Sequence, residues 1–370
     1  MLKRFGLIVL AFFALYAFTA QRGLGWGDSG EFQYRILSLG WEALSTGCDS
    51  LATAHPLYVL IGKLVSTSPW TVNLISAFFG ALAIGGFYLC TRNSALSVLF
   101  GFSHGVWWLS CVAEVYTFSL TFLIFEVFFF KRYLESRRPL DLALVFFLNG
   151  LHLCVHNFAL LSLPIYLYIF LKHFKLQTSN FKLLPLFWLL GAAWYIYLAL
   201  DHGIMNALVG GYGNEAMGLL PKRWLLVAFN YALVALSLIV PFVIWYLNRK
   251  SSTLKFTRSP LLALFLIHFV FFARYFIISQ YTFALPTLFF VYLFLSKVDL
   301  KPNRAVALAI MQVVIPLFGY YLVRDFEIPS WYQRHKYRDE AAYFFLPWKF
   351  QDSSADCYAR EIGGVWNGYP

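Results

Sequence analysis

Two carboxylates, Asp28 and Glu31, stand three residues apart in Gly25-Trp26-Gly27-Asp28-Ser29-Gly30-Glu31-Phe32. On a helix, an i, i+3 pair shares one face. Two neighbouring carboxyl groups push their pKa values apart, which suits one as a base and the other as an acid or orienting group. The flanking glycines let a ligand approach the backbone. A structural reading stands beside this one: Asp-x-x-Glu entering an amphipathic segment is a capping box, with Asp28 accepting from the Glu31 amide. The two are compatible, because a capping geometry also holds Asp28 rigidly. Glu114, in Val112-Ala113-Glu114-Val115-Tyr116, is a third carboxylate, flanked by apolar runs and preceded by Trp107-Trp108. An ionisable group costs about 2.5–3.5 kcal/mol at a bilayer centre and less near an interface, so it usually has a partner or a job. The alternative for Glu114 is a solvated turn.

His152 and His156 lie i, i+4 in Gly150-Leu151-His152-Leu153-Cys154-Val155-His156-Asn157. That is a metal-pair spacing, but no third ligand stands nearby. A proton relay, a hydrogen bond to a sugar and a structural turn all remain open. Arg274, in Phe271-Phe272-Ala273-Arg274-Tyr275, closes an apolar run. Its guanidinium fork suits an anionic lipid phosphate, and snorkelling to headgroups is the simpler account. Lys222 and Arg223 open the preceding span on the same side and suit similar work. Glu126, one turn above Lys131 and Arg132, reads as a member of an ion pair at the opposite interface. The five cysteines show no CxxC spacing, which argues against zinc. Cys48 and Cys357 both fall in segments placed outside the membrane, which leaves a disulfide between them open.

The elements that must position these residues are membrane helices. The 370-residue chain is 60% hydrophobic, 20% aromatic and 13% charged, against about a quarter charged in a soluble domain. Its mean hydropathy is +0.65. Apolar runs of membrane-spanning length recur throughout, so the fold class is all-α, a polytopic transmembrane bundle. Met1-Leu2-Lys3-Arg4 and the apolar run Phe5 to Ala20 read as an uncleaved first span, because Phe18 occupies the position where signal peptidase wants a small residue. Further spans fall near 70–90, 95–112, 115–130, 140–154, 155–171, 182–200, 223–246, 260–278, 282–296 and 305–322, about eleven in all. Residues 21–69 form the first extracytoplasmic loop. Apolar spacing from Ser29 to Leu44 predicts a short amphipathic helix lying in the interface, with Gly47 as its stop, and His55-Pro56 opens a second short helix through Lys63.

The net charge of +11 is not a nucleic-acid signal, because of where it sits. Arg92, Lys131 to Arg138, Lys172 to Lys182, Arg249 to Arg258 and Lys297 to Arg304 all fall in alternate connections. This bias puts the N-terminus in the cytoplasm, and residues 21–69 and the tail outside. The chain divides into a transmembrane domain, 1–322, and a short extracytoplasmic tail, 323–370.

Four motifs then follow one another in the order and spacing of a known family. They are Gly27-Asp28-Ser29-Gly30-Glu31-Phe32, Ala54-His55-Pro56-Leu57-Tyr58, Val72 to Ala81, and Ala113-Glu114-Val115-Tyr116. The chain resembles the polytopic GDSGE/AEVY-signature family, long of unknown function, that includes a eukaryotic endoplasmic-reticulum protein O-mannosyltransferase within the GT-C glycosyltransferase superfamily. The likeness is strong over about residues 25–165 and weaker to about 296. It departs in two places. A Pro-Pro-Gly-Tyr-Pro run is shortened to Pro56-Leu57-Tyr58, and Gln280 stands where relatives tend to carry an acid. The tail is also shorter than the lumenal domains of the larger relatives.

The resemblance implies a GT-C enzyme that takes a sugar from a polyprenyl-phosphate donor on the extracytoplasmic face. An acidic residue in the first outer loop is central to such catalysis, and by position it is Asp28, with Glu31 beside it. His55, Glu114, Tyr116, His152, His156 and Asn157 form the expected substrate-binding set, and Arg274, Lys222 and Arg223 would meet the departing lipid phosphate. The expected partners are the lipid-linked sugar, with a mannosyl donor as one candidate, a protein or glycan acceptor and the bilayer. The chemistry needs no protein-bound cofactor, and a divalent metal is neither required nor excluded. The site would face outward from a plasma membrane in a prokaryote or into the endoplasmic reticulum in a eukaryote. The competing reading is a non-enzymatic transporter or lipid-binding protein, but the charges cluster toward the outer ends and no internal repeat is visible.

Overall fold

The computed structural model describes residues 1–23, 25, 28–47, 50–174, 184–208, 224–249, 260–276 and 280–323. Among these the chain is all-α. The helices are α1 (Leu2–Thr19), α2 (Asp28–Leu37), α3 (Pro56–Val65), α4 (Pro69–Thr91), α5 (Ser94–Phe102), α6 (His104–Ser110), α7 (Tyr116–Ser136), α8 (Pro139–Leu153), α9 (Ala159–Phe174), α10 (Leu184–His202), α11 (Ile204–Leu208), α12 (Trp224–Asn248), α13 (Pro260–Arg274), α14 (Leu285–Phe294) and α15 (Pro302–Val323). Four described stretches are long and apolar enough to cross a bilayer: Leu2–Thr19, Pro69–Thr91, Val227–Asn248 and Pro302–Leu322. The chain is an integral membrane protein.

The count of about eleven uninterrupted spans is not reproduced at that threshold, and two of the expected spans are broken. The 95–112 run forms two helices that part at Ser103, whose hydroxyl turns back onto the Phe100 carbonyl. The 282–296 run begins as a 3-10 segment, Gln280–Ala284, before α14. The tail beyond Val323, the Cys48–Cys357 question, Lys222 and Arg223 lie outside the described residues.

Helix α4 runs through the centre of the bundle. Ser68 and Thr71 close a reciprocal capping box at its start, with Pro69 at the first turn, where a missing N–H costs nothing. Ala77, Ala81, Ala83 and Ile84 are buried on it, and its small residues let α1 and α7 approach. A Cβ on Gly85 would strike Val9 and Phe5, and one on Gly86 would strike Ile124. Helices α8 and α10 meet even more closely, where Gly150 faces the Trp188 carbonyl and Gly191 faces that of Phe147. Small residues drive such contacts between membrane helices, where no hydrophobic force separates protein from lipid.

Alternation of the helices gathers the connections into two ends. At one end lie residues 20–68, 111–115, 154–158 and 203–208. They are tied together by Gln21 N–H to the Cys111 carbonyl (2.9 Å), Leu57 N–H to the Cys154 carbonyl (3.0 Å) and Leu51 N–H to Asn206 Oδ1 (2.7 Å). The opposite end is basic. There Lys131 donates to the Cys90 carbonyl (2.7 Å), Arg132 pairs with Asp141 (3.2 Å), and Asn93 reaches the Val298 carbonyl (3.3 Å).

The first loop differs from expectation. Helix α2 stops at Leu37 and is followed by a 3-10 turn, Trp41–Leu44, instead of continuing to Gly47. The cause is Lys63, one turn from the end of α3, whose ammonium donates to the carbonyls of Arg35 (3.0 Å), Ile36 (3.3 Å) and Leu39 (2.8 Å). A cation on the terminal carbonyls satisfies them and ends the helix.

Candidate active site at the loop end

The loop that carries Asp28 is pinned from behind. Gln33 accepts from the Gly25 amide (2.7 Å) and donates to Asn73 Oδ1 (3.1 Å), while Asn73 donates to the Gln21 carbonyl (2.8 Å). Gly30 lies so close to the Gly25 carbonyl that a Cβ would sit 2.8 Å from its oxygen. This fold-back sets Asp28 and Glu31 in the first turn of α2, where the helix dipole favours negative charge. Glu31 is buried and pairs with buried Arg35 one turn on (3.3 Å). The same guanidinium donates to the carbonyls of Thr53 (3.3 Å), Ala43 (2.9 Å) and Ala54, tying both of those segments to the helix.

Glu114 arrives from the α6–α7 turn. Its backbone is clamped at both ends by one hydroxyl: Ser76 Oγ donates to the Glu114 carbonyl (2.8 Å) and accepts from its amide (3.0 Å). Tyr58 Oη stands 3.1 Å from the same oxygen. The Glu114 carboxyl accepts from Ser29 Oγ through Oε1 (3.3 Å), and its buried Oε2 has no hydrogen-bond partner among the described residues. Three carboxylates from two turns that are far apart in sequence are thus brought into mutual range.

Their electrostatics differ. Asp28 is exposed along one side, yet so much protein surrounds it that burial, with the nearby Glu31 charge, pushes its carboxyl up to about 7. We read this as a recess: accessible to a ligand, poor in bulk water. Burial raises the Glu114 carboxyl well above the usual range, and the Asp28 charge adds to that. Like charges this close cannot both ionise cheaply, so burial and the Asp28 charge both favour the protonated form of Glu114, and Asp28 is the more exposed of the two acids.

An aromatic wall adjoins the acids. Tyr116, the first residue of α7, packs on His156 (ring centroids 5.4 Å) and Phe283 (5.7 Å), and Phe158 packs on His156 (3.9 Å), Phe283 (5.2 Å) and Phe271 (5.5 Å). His55 stacks on His156 at 5.1 Å. His55 has φ 48°, in the left-handed region, a conformation that costs a non-glycine residue about 1–3 kcal/mol and needs neighbours to hold it. Arg274 ends α13 exposed, one residue from Tyr275, which packs on Phe283 (5.3 Å). It therefore shares the end of the bundle with the acids. A small recess lined by His104, Ser237, Tyr281 and Leu285 lies between α6, α12 and α14 and does not include the carboxylates.

Three expected roles come out differently. His152 does not line the recess. It is fully buried between α7 and α8, with Nδ1 2.8 Å from Glu126 Oε1 and Nε2 2.6 Å from Ser119 Oγ. The i, i+4 histidines therefore do not converge on one point. Glu126 pairs with His152, and Asn149 donates to its other oxygen (3.1 Å). It does not pair with Lys131 or Arg132, because residues five and six apart on a helix do not share a face. Asn157 is committed to the fold, donating to the Ala207 carbonyl (3.0 Å) and accepting from Tyr195 (2.9 Å). Ser29, Ser76 and Arg35 position the acids and were not singled out from sequence. Asn73 and Ser76, polar residues three apart inside an apolar span, were the available signal.

Comparison with known proteins adds two findings. Residues 91–180 match the family model described as the protein O-mannosyl-transferase TMEM260 N-terminal domain. That segment includes Glu114, Tyr116, His152, His156 and Asn157, but not Asp28. The fold is similar to that of ArnT from Cupriavidus metallidurans, solved bound to undecaprenyl phosphate, with TM-score 0.57 and 12% identity over 88% of this chain. The chain spans 65% of the length of that structure. No curated protein matches the sequence. Together these findings liken residues 91–180 to the N-terminal domain of a protein O-mannosyl-transferase and give the chain a fold similar to that of ArnT.

Proposed function

We propose that the protein transfers a sugar, with mannose the first candidate, from a polyprenyl-phosphate donor to an acceptor hydroxyl on the extracytoplasmic side of the membrane. The observation that carries this reading is the placement of Asp28: exposed in the first turn of α2, beside Glu31 and one residue from Ser29, which holds the Glu114 carboxyl. The acceptor oxygen attacks the anomeric carbon as the bond from that carbon to the phosphate oxygen breaks. Asp28 takes the hydroxyl proton, the polyprenyl phosphate leaves with the bonding electrons, and the anomeric configuration inverts. A base with pKa near the working pH suits that transfer.

Glu31, held in place by its ion pair with Arg35, raises the Asp28 carboxyl through its charge. Glu114 in its protonated form can donate to an oxygen of the sugar or acceptor. Arg274 stabilises charge developing on the leaving phosphate; Lys222 and Arg223 are assigned to the same task from sequence. The placement of basic residues at the far end of the bundle supports an outward-facing site, and ArnT's lipid phosphate supports the donor class. The test is Asp28→Asn in membranes supplied with labelled polyprenyl-phosphate mannose and other lipid-linked sugars. Loss of transfer at normal protein level is expected, whereas undiminished transfer removes Asp28 as base. Transport of the lipid retained in that variant, with no glycosylated product from the wild type, would favour a transporter.

A further inference from the structure

The two stacked imidazoles are not equivalent. His55 Nδ1 lies 2.7 Å from the Val155 carbonyl oxygen. A carbonyl can only accept, so Nδ1 carries the proton, and Nε2 of a neutral ring is left with a lone pair. His156 Nδ1 instead accepts from the Phe158 backbone N–H at 3.1 Å. A backbone N–H can only donate, so here Nδ1 holds the lone pair and Nε2 carries the proton. Two backbone groups therefore lock the rings in opposite tautomers. The rings stack at 5.1 Å and 25°, both are half-buried, and neither Nε2 has a partner among the described residues.

We propose that His55 and His156 form a fixed acceptor–donor pair that reads two neighbouring hydroxyl groups of the lipid-linked sugar. This rests on the glycosyltransferase reading and specifies the substrate feature it recognises. One sugar hydroxyl donates to His55 Nε2, and its neighbour accepts from His156 Nε2–H. Phe32, 5.6 Å from His55, and Tyr116, 5.4 Å from His156, flank the rings and keep them from rotating. The left-handed backbone at His55 is held by the same Val155 contact. Both rings stay neutral, as the pair requires: burial lowers the His55 imidazole to about 4, with the Arg35 charge opposing protonation further, and burial takes that of His156 well below its ordinary value. Specificity of this kind is steep, because a sugar lacking either hydroxyl leaves a polar ring atom unpaired.

The test uses the full chain in nanodiscs and reads binding, which needs no turnover. Affinities are measured for undecaprenyl phosphate, its mannosyl and glucosyl derivatives, and the 2-, 3-, 4- and 6-deoxy analogue of whichever binds. Two analogues lacking adjacent hydroxyls should bind at least about tenfold more weakly, the others being little changed. In parallel, ¹⁵N-histidine spectra should show one Nδ1–H and one Nε2–H tautomer, assigned by the signals lost in His55→Gln and His156→Gln. Matching tautomers, cationic rings at neutral pH, equal binding of all deoxy analogues, or sugared lipids that bind no better than undecaprenyl phosphate would each overturn the pair. Selective binding without transfer by the wild type would leave the pair standing and remove the enzyme reading instead.

Discussion

The loop end and the interior of this protein hold the same residue types under opposite rules. At the loop end, Asp28 reaches solvent, and among the described residues Glu114 Oε2 and the two histidine Nε2 atoms have no partner. Along α7 from Ser119 to Glu126, the interior satisfies this acid and this imidazole: both Glu126 oxygens and both His152 nitrogens are engaged, at zero exposure. A carboxylate and an imidazole whose hydrogen bonds are all met inside the protein are structural glue. The same pair with spare capacity facing a recess is available for chemistry. The contrast makes unmet hydrogen-bonding capacity, more than residue type, the guide to function here.

The sharpest way to break this comparison is to remove one acid from each region. Asp28→Asn should lower transfer by about 10²–10⁴-fold, the usual worth of a general base, with little change in thermal unfolding in detergent. Glu126→Ala should do the reverse in kind. It leaves His152 buried with Nδ1 unpaired, which costs about 1–3 kcal/mol of stability; Glu126→Gln, which keeps the shape and one acceptor, should recover part of that. A Glu126→Ala protein as stable as wild type would show that the interior pair is not structural.

The pH profile sharpens the comparison further. Asp28 must be ionised to accept a proton, so log kcat/KM should climb with unit slope below about pH 7 and level off above it. Stability runs the other way. The folded protein binds this proton more tightly than the unfolded chain, so the cluster adds stability as pH falls from about 7 toward 4 and loses it as pH rises through about 7. Asp28→Asn should flatten both trends, and a rate that falls as pH rises through 7 would assign the protonated form as the working one. The smallest effect belongs to Ser29→Ala. Losing its bond to Glu114 should cost about 1 kcal/mol, seen as a small drop in thermal unfolding temperature with the Asp28 limb of the pH profile unmoved.

Much of the architecture was legible before any coordinates. The apolar runs placed α1, α4, α8, α9 and α15 within a few residues, and the alternation of basic turns separated two ends that the structure keeps apart. Asp28 and Glu114 stood out because carboxylates are scarce in so apolar a chain. The misreadings share one cause. Helix α2 was extended past Leu37 because its own periodicity continues, and only Lys63, 26 residues on, ends it. His152 and His156 looked like a pair because they are one turn apart, yet they face different neighbours on either side of the α8 terminus. Glu126 looked interfacial because of the basic residues that follow it, whereas α8 supplies its partner from a different direction.

Composition and the spacing of charge were enough to establish a membrane-spanning helical bundle, the end at which its unusual acids collect, and the order of its motifs. These are one-dimensional properties: hydropathy follows from the side chains present, and depth follows from counting along a helix. Which acid sees water, which keeps its proton and which tautomer each histidine adopts were decided only by tertiary structure. Those properties depend on groups contributed from remote segments, such as the Val155 carbonyl that meets His55 across 100 positions of chain.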